Sequence, residues 1–173
     1  MTVSWMPCIP DSYAIEGLTV SVDAVLNALG IELPTPPKPV ASYVPAVLVG
    51  DVLYLSGMLP FRDGQVIITG KLGEDVTVER GAEAAKLAVL NALAVVRQEL
   101  GSLDRVQRIV RVVGHVASGA GFVQQPAVIN GASDLLVQIF GDHGRHSRVA
   151  LGAAELPLRA AVELELLVQV KPS

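Results

Sequence analysis

The segment Arg148-Val-Ala-Leu-Gly-Ala-Ala-Glu-Leu-Pro-Leu-Arg-Ala-Ala-Val-Glu-Leu-Glu-Leu166 holds two strand-length apolar runs on either side of Leu156-Pro157. In the second run Val162, Leu164, Leu166 and Val168 alternate with Glu163 and Glu165. A strand turns successive side chains to opposite faces, so both glutamates share one face and the aliphatic residues take the other. Strands are therefore expected over about Arg148–Ala154 and Ala161–Val170.

Working back from these strands, Pro126 suits the first turn of a helix running to Phe140 and closed by Gly141, with Val128, Ala132, Leu135 and Ile139 as its stripe. Ile109–Val116 is dense in β-branched residues and reads as a strand. Thr77–Leu100 is the clearest helix. Its apolar residues Val78, Ala82, Ala85, Val89, Leu93, Val96 and Leu100 recur every three or four positions. Thr77 can cap it, Glu79 suits its positive end, and Gly101 can end it. Further upstream, Val44–Val49 and Val52–Ser56 read as a hairpin about Gly50-Asp51, and Val66–Thr69 as a third strand after an Asp63-Gly64 turn.

The expected order is β-β-β-α-β-α-β-β, an α+β fold in which a mixed sheet carries two helices on one face. A short helix over Ser21–Leu29 precedes it, with a stiff proline-rich joint at Pro34–Pro39. Residues 1–19 show no sustained period. The chain thus divides into an N-terminal extension, 1–39, and a domain, 40–173. The strand at Val44–Val49 is apolar on both sides. Unless the N-terminal helix covers the second face, a partner subunit has to.

Composition agrees with an oligomer. Hydrophobic residues make up 51% of the 173 and charged residues only 17%. Membrane insertion is the rival explanation. However, the most apolar stretch, Leu87–Val96, is interrupted by Asn91 and flanked by Lys86 and Arg97, far short of a span. The first basic residue is Lys38, so a basic targeting leader is not expected and a cytoplasmic location is. Cys8 is the sole cysteine, which leaves neither a disulfide framework nor a thiolate metal cluster. A net charge of −4 and 4% aromatic residues argue against a phosphate-tracking, base-stacking nucleic-acid groove.

The Arg148–Leu166 segment resembles the signature of the Rid/YjgF family of enamine/imine deaminases, also labelled endoribonuclease L-PSP. Tyr43-Val-Pro-Ala-Val47 with Leu53-Tyr-Leu-Ser-Gly-Met-Leu-Pro60 is similar to that family's first hairpin, and Pro126-Ala-Val-Ile-Asn-Gly131 to the start of its second helix. The likeness runs from about Val40 to Val170. The Gly70–Gly73 region and the N-terminal helix resemble a longer-chain branch. The resemblance implies a chorismate-mutase-like fold, a homotrimer, and active sites in clefts between subunits.

By that resemblance Arg148 would grip a substrate carboxylate through its planar fork. Glu163 would position or activate water for attack on a C=N bond. Tyr43, Ser56, Gly57 and Asn130 would line the cleft, with Gly57 allowing close backbone approach. Glu165 is expected to be structural. Ala150 stands where the family often has a cysteine, and Met58 where a glutamine is common, so thiol chemistry is not expected. No cofactor is implied, because an imine is already an electrophile. Asp142, His143 and His146 fall short of a zinc ligand set, and His115 is expected to be a satisfied or interface histidine. Thr69-Gly-Lys-Leu-Gly73 lacks phosphate-loop spacing. The leading expectation is a deaminase of 2-imino acids. The alternatives are a carboxylate-binding regulatory trimer without turnover and, behind it, a ribonuclease.

Overall fold

The computed structural model describes residues 14–15, 18–36 and 42–172. Its centre is a five-stranded sheet. Strands β3 (Ala46–Val49) and β4 (Val52–Leu55) form the hairpin, turning at Gly50 with φ 61°. After helix α2 (Val78–Leu100) come β7 (Val106–Ala117), α3 (Gln125–Phe140), β8 (Ser147–Ala153) and β9 (Val162–Val170). The spatial order is β3-β4-β9-β7-β8. Within this sheet only β7 and β8 pair in parallel, and α3 makes the crossover between them. The sheet is mixed, as the pattern of runs predicts.

Helix α2 begins and ends where its sequence directs. Thr77 Oγ1 accepts the Arg80 amide proton at 3.3 Å, and Gly101 closes the helix in the left-handed conformation at φ 78°. Its burial extends well beyond one stripe, from Ala84 and Ala85 through the run Asn91–Val96. The sheet packs on one side of α2 and α3 on another. Small residues permit this close approach. A Cβ at Gly131 on α3 would overlap the Ala82 backbone carbonyl, and one at Gly114 on β7 would meet Ile129 of α3.

On β9 the residues Val162, Leu164, Leu166, Val168 and Val170 are buried, and the glutamates take the other face. The helices therefore cover one face only. The opposite face carries exposed Val47, Val49, Tyr54 and Leu151. Helix α1 (Val22–Ala28), capped by Ser21 as expected, does not cover it. It packs against α3 and the turn Leu103–Arg105, inserting Leu26 into the core.

Two expectations need correction. The third strand at Val66–Thr69 does not join the sheet. Phe61–Arg62 (β5) and Gln65–Val66 (β6) form a separate ribbon around Asp63 and Gly64, both at positive φ, and Thr69 makes only an isolated bridge to Ala160. The turn at Asp63 and Gly64 folds the segment back on itself, so its strand pairing is made within the ribbon. Within the supposedly irregular N-terminus, Ala14–Ile15 (β1) and Leu18–Thr19 (β2) pair antiparallel. Most of that segment, including Cys8, and Pro37–Pro39 of the joint lie outside the described residues. No helix among those described is long and apolar enough to cross a membrane.

Candidate active site

The sequence-predicted residues fall into two groups. The first surrounds Arg148. In the β7–β8 register Arg148 stands beside Val112, and Val112 beside Leu166, which places Arg148 on the helix-covered face. From this edge strand it reaches α3. Its Nη1 donates to Asn130 Oδ1 at 2.8 Å and to Ser133 Oγ at 3.1 Å. Ser133 lies one helical turn from Asn130, on the same face.

The chain of hydrogen bonds continues past Ser133. His146 Nδ1 lies 2.6 Å from the Gly144 carbonyl, which can only accept, so this nitrogen carries the proton. His146 Nε2, 3.0 Å from Ser133 Oγ, is then the acceptor in the neutral ring, and the serine hydroxyl donates to it. The serine lone pairs remain free to accept from Arg148. Burial, with a smaller push from the Arg148 charge, holds the His146 pKa below the ordinary histidine value. Both recorded Arg148 bonds use Nη1. Among the described residues the Nε–Nη2 edge has no partner, and no carboxylate pairs with Arg148. That free edge is the part of a guanidinium that holds a carboxylate through two parallel bonds.

The second group lies around Glu163. Glu163 stands beside His115 in the β7–β9 register, on the face without helices. Its carboxyl packs against Gly57 so closely that a Cβ there would overlap it. The glycine thus makes room for a protein carboxylate, where the sequence suggested room for a ligand. Tyr43, Gly57, Met58 and Glu163 line one groove of about 1130 Å³. Ser56 points away from chemistry: its Oγ donates to the Val44 carbonyl at 2.7 Å and ties the hairpin's ends together. Met58, buried at 4% exposure and bridged to Leu164, is as much core as groove lining.

Electrostatics distinguishes the two glutamates. Burial raises the Glu163 pKa above the usual carboxylate value; His115 opposes the rise and Glu165 adds to it. Glu165 Oε1 sits 3.0 Å from His115 Nε2, so these two occupy each other. The other histidines form no metal site: among the described residues no group of three His, Cys, Asp or Glu side chains could hold an ion, and Asp142 pairs with Arg145. Lys71, in the segment with the faint look of a phosphate loop, is engaged by Glu155 at 2.7 Å.

Arg148 and Glu163 do not meet within one chain. They lie on opposite faces, two strands and three residue rows apart, which is roughly 14 Å between backbones at ordinary sheet spacings. Sequence reading missed Ser133 and left His146 without a role. The available signal was the i, i+3 spacing from Asn130 to Ser133.

Comparison with known proteins agrees with this architecture. Residues 23–170 match the family model described as "YjgF/chorismate_mutase-like, putative endoribonuclease", and the chain belongs to that family. It is 43% identical over 150 residues to Protein TCP17 of Trypanosoma cruzi, covering 86% of this chain and 94% of that one. Among solved structures it is similar to Atu1372 of Agrobacterium tumefaciens, a protein of unknown function. That match has 41% identity and a TM-score of 0.82 and covers 87% and 92% of the two chains. A Shewanella oneidensis protein, described as a "putative endoribonuclease", matches with 36% identity and a TM-score of 0.85, covering 87% and 100%. Family and fold are thereby fixed as YjgF/Rid and chorismate-mutase-like.

Proposed function

We propose that the protein hydrolyses 2-imino acids to 2-oxo acids and ammonia, in a site shared between two copies of the chain. The observation that carries this reading is the division of the site. One side of the fold offers a guanidinium edge free for a carboxylate. The opposite face offers a half-buried carboxyl with a raised pKa in an open groove. In a 2-imino acid the carboxylate carbon is bonded directly to the imine carbon, so a single small substrate needs both groups close at hand. One chain holds them too far apart. A neighbouring copy, seated on the exposed apolar face, supplies the other half, and a homotrimer closes such an arrangement with three equivalent sites.

In the reaction Arg148 holds the substrate carboxylate while Asn130 and Ser133 hold Arg148. With the substrate in its protonated, iminium form, ionised Glu163 accepts a proton from water as the oxygen bonds to the imine carbon and the C=N electron pair moves to nitrogen, giving a neutral carbinolamine. Glu163 returns its proton to that nitrogen, the C–N bond breaks with loss of ammonia, and the carbinol hydroxyl gives its proton to solvent as the carbonyl forms. A raised carboxyl pKa favours both directions of this transfer. The imine needs no further activation by a cofactor.

The test is 2-oxo acid formation from freshly generated imino acids. Arg148→Ala is expected to lower kcat/KM by about 10² to 10³, the cost of losing a charge-assisted anchor. Wild-type activity indistinguishable from the spontaneous rate, or an unimpaired Arg148→Ala variant, would sink the assignment.

A further inference from the structure

Among the described residues Asn91 is the one buried polar residue of the core, 1% exposed, in the middle of α2. Its Nδ2 donates twice, to the Leu87 carbonyl one turn back and to the Phe61 carbonyl, each at 2.9 Å. Two carbonyl acceptors fix the orientation of the amide, since its oxygen could not occupy that side. Oδ1 therefore points the other way, and no residue donates to it. Yet no buried side-chain nitrogen or oxygen among the described residues lacks a partner. The small accessible surface of Asn91 must then lie on Oδ1, and Asn91 lines the same groove as Glu163 and Tyr43. Leu87, Leu90, Met58 and Leu59 give this groove apolar wall, alongside the charged Glu32, Arg62 and Asp63.

We infer that Asn91 Oδ1 is the acceptor of a side-chain subsite, and that the groove takes small acids whose apolar side chain carries a hydroxyl or N–H donor. The acceptor is held rigidly by two bonds and nearly desolvated, so a ligand that covers it without donating leaves it unpaired at a cost. A donor-bearing side chain avoids that cost, and the aliphatic walls accept the rest. The inference deepens the deaminase reading by naming the substrate's side-chain class, and it rests on that reading for the carboxylate end of the ligand.

Two measurements on the full-length protein separate the ideas. In the first, phenol and toluene are titrated while the side-chain amide signal of Asn91 is followed by NMR. Phenol is expected to shift it and toluene to leave it in place. In the second, binding of 4-hydroxyphenylpyruvate and phenylpyruvate is measured for the wild type and Arg148→Ala. The hydroxylated acid is expected to bind about tenfold more tightly, one hydrogen bond's worth. Equal affinities, with binding lost in Arg148→Ala, would overturn the subsite and leave the deaminase reading standing. A phenol-specific shift without any 2-oxo acid binding would leave the acceptor and remove the deaminase reading. Silence at Asn91, or toluene acting like phenol, overturns the inference outright.

Discussion

Gly57 and Glu163 occupy one space: the Glu163 carboxyl lies where a side chain at position 57 would begin, with its Cδ 2.9 Å from an ideal Cβ. Met58, the next residue, is bridged to Leu164, the next residue of β9, so the backbone on both sides is pinned. Gly57→Ala is therefore expected to move the Glu163 carboxyl, because neither backbone can retreat. A displacement near 1 Å lowers activity by about 10²-fold, with little loss of thermal stability, since the side chain that moves is half exposed. Imine hydrolysis and thermal unfolding of the same variant check this. Full activity would remove Glu163 from the chemistry.

The proposed sharing of the site between copies makes a complementation prediction. Arg148→Ala and Glu163→Gln variants are each expected to be inactive as pure assemblies. When the two are mixed and allowed to exchange subunits, an interface joining Arg148 of one to Glu163 of the other is intact, and activity returns to a substantial fraction of wild type. Activity that stays flat after verified exchange would mean that each chain carries a complete site.

Ser133 Oγ is engaged on both sides, by Arg148 Nη1 and by His146 Nε2. Losing its hydroxyl frees one Nη1 proton and loosens the fork. Ser133→Ala is expected to raise KM about tenfold, the scale of one charge-assisted bond, and to leave kcat near the wild-type value. Ser133→Thr, which keeps the hydroxyl, is expected to restore much of the loss. A kcat effect without a KM effect would contradict a positioning role.

The neutral state of His146 gives a pH dependence of stability. Its folded pKa lies below the unfolded value of about 6.5. Between the two values the unfolded chain binds more protons, so stability rises with pH through that window. The contribution is complete above about 6.5 and is lost as pH falls through the folded pKa. Glu163 has the opposite sign: its folded pKa is raised, so its stability contribution is present at low pH and declines as pH rises through the folded value. Urea unfolding across pH 4 to 8 is expected to show a shallower acid-side decline in His146→Gln than in wild type.

At the α2–α3 contact, Gly131→Ala would set a methyl group against the Ala82 carbonyl. Overpacking against backbone costs about 1 to 3 kcal/mol, read as a lowered denaturant midpoint with an unchanged slope. Asn130 and Ser133 ride on the same helix, so KM is expected to rise with the loss.

Local pattern carried much of the fold into view. The periodicity of α2, its Thr77 and Gly101 caps, the alternation of β9 and the helix start at Pro126 are all properties of near neighbours, and each determines an element without reference to the rest of the chain. The apolar character of both faces of β3 likewise announced a surface in need of cover. Tertiary structure decided what depends on register and packing. It separated the Phe61–Val66 ribbon from the sheet, because the turn at Asp63 and Gly64 pairs its two arms with each other. It turned Arg148 and Glu163 to opposite faces, a consequence of strand order and pleat that spacing in the sequence does not express. It also brought Ser133, His146 and Asn91 to their partners, through hydrogen bonds between residues that meet only when helix, loop and strand are packed together.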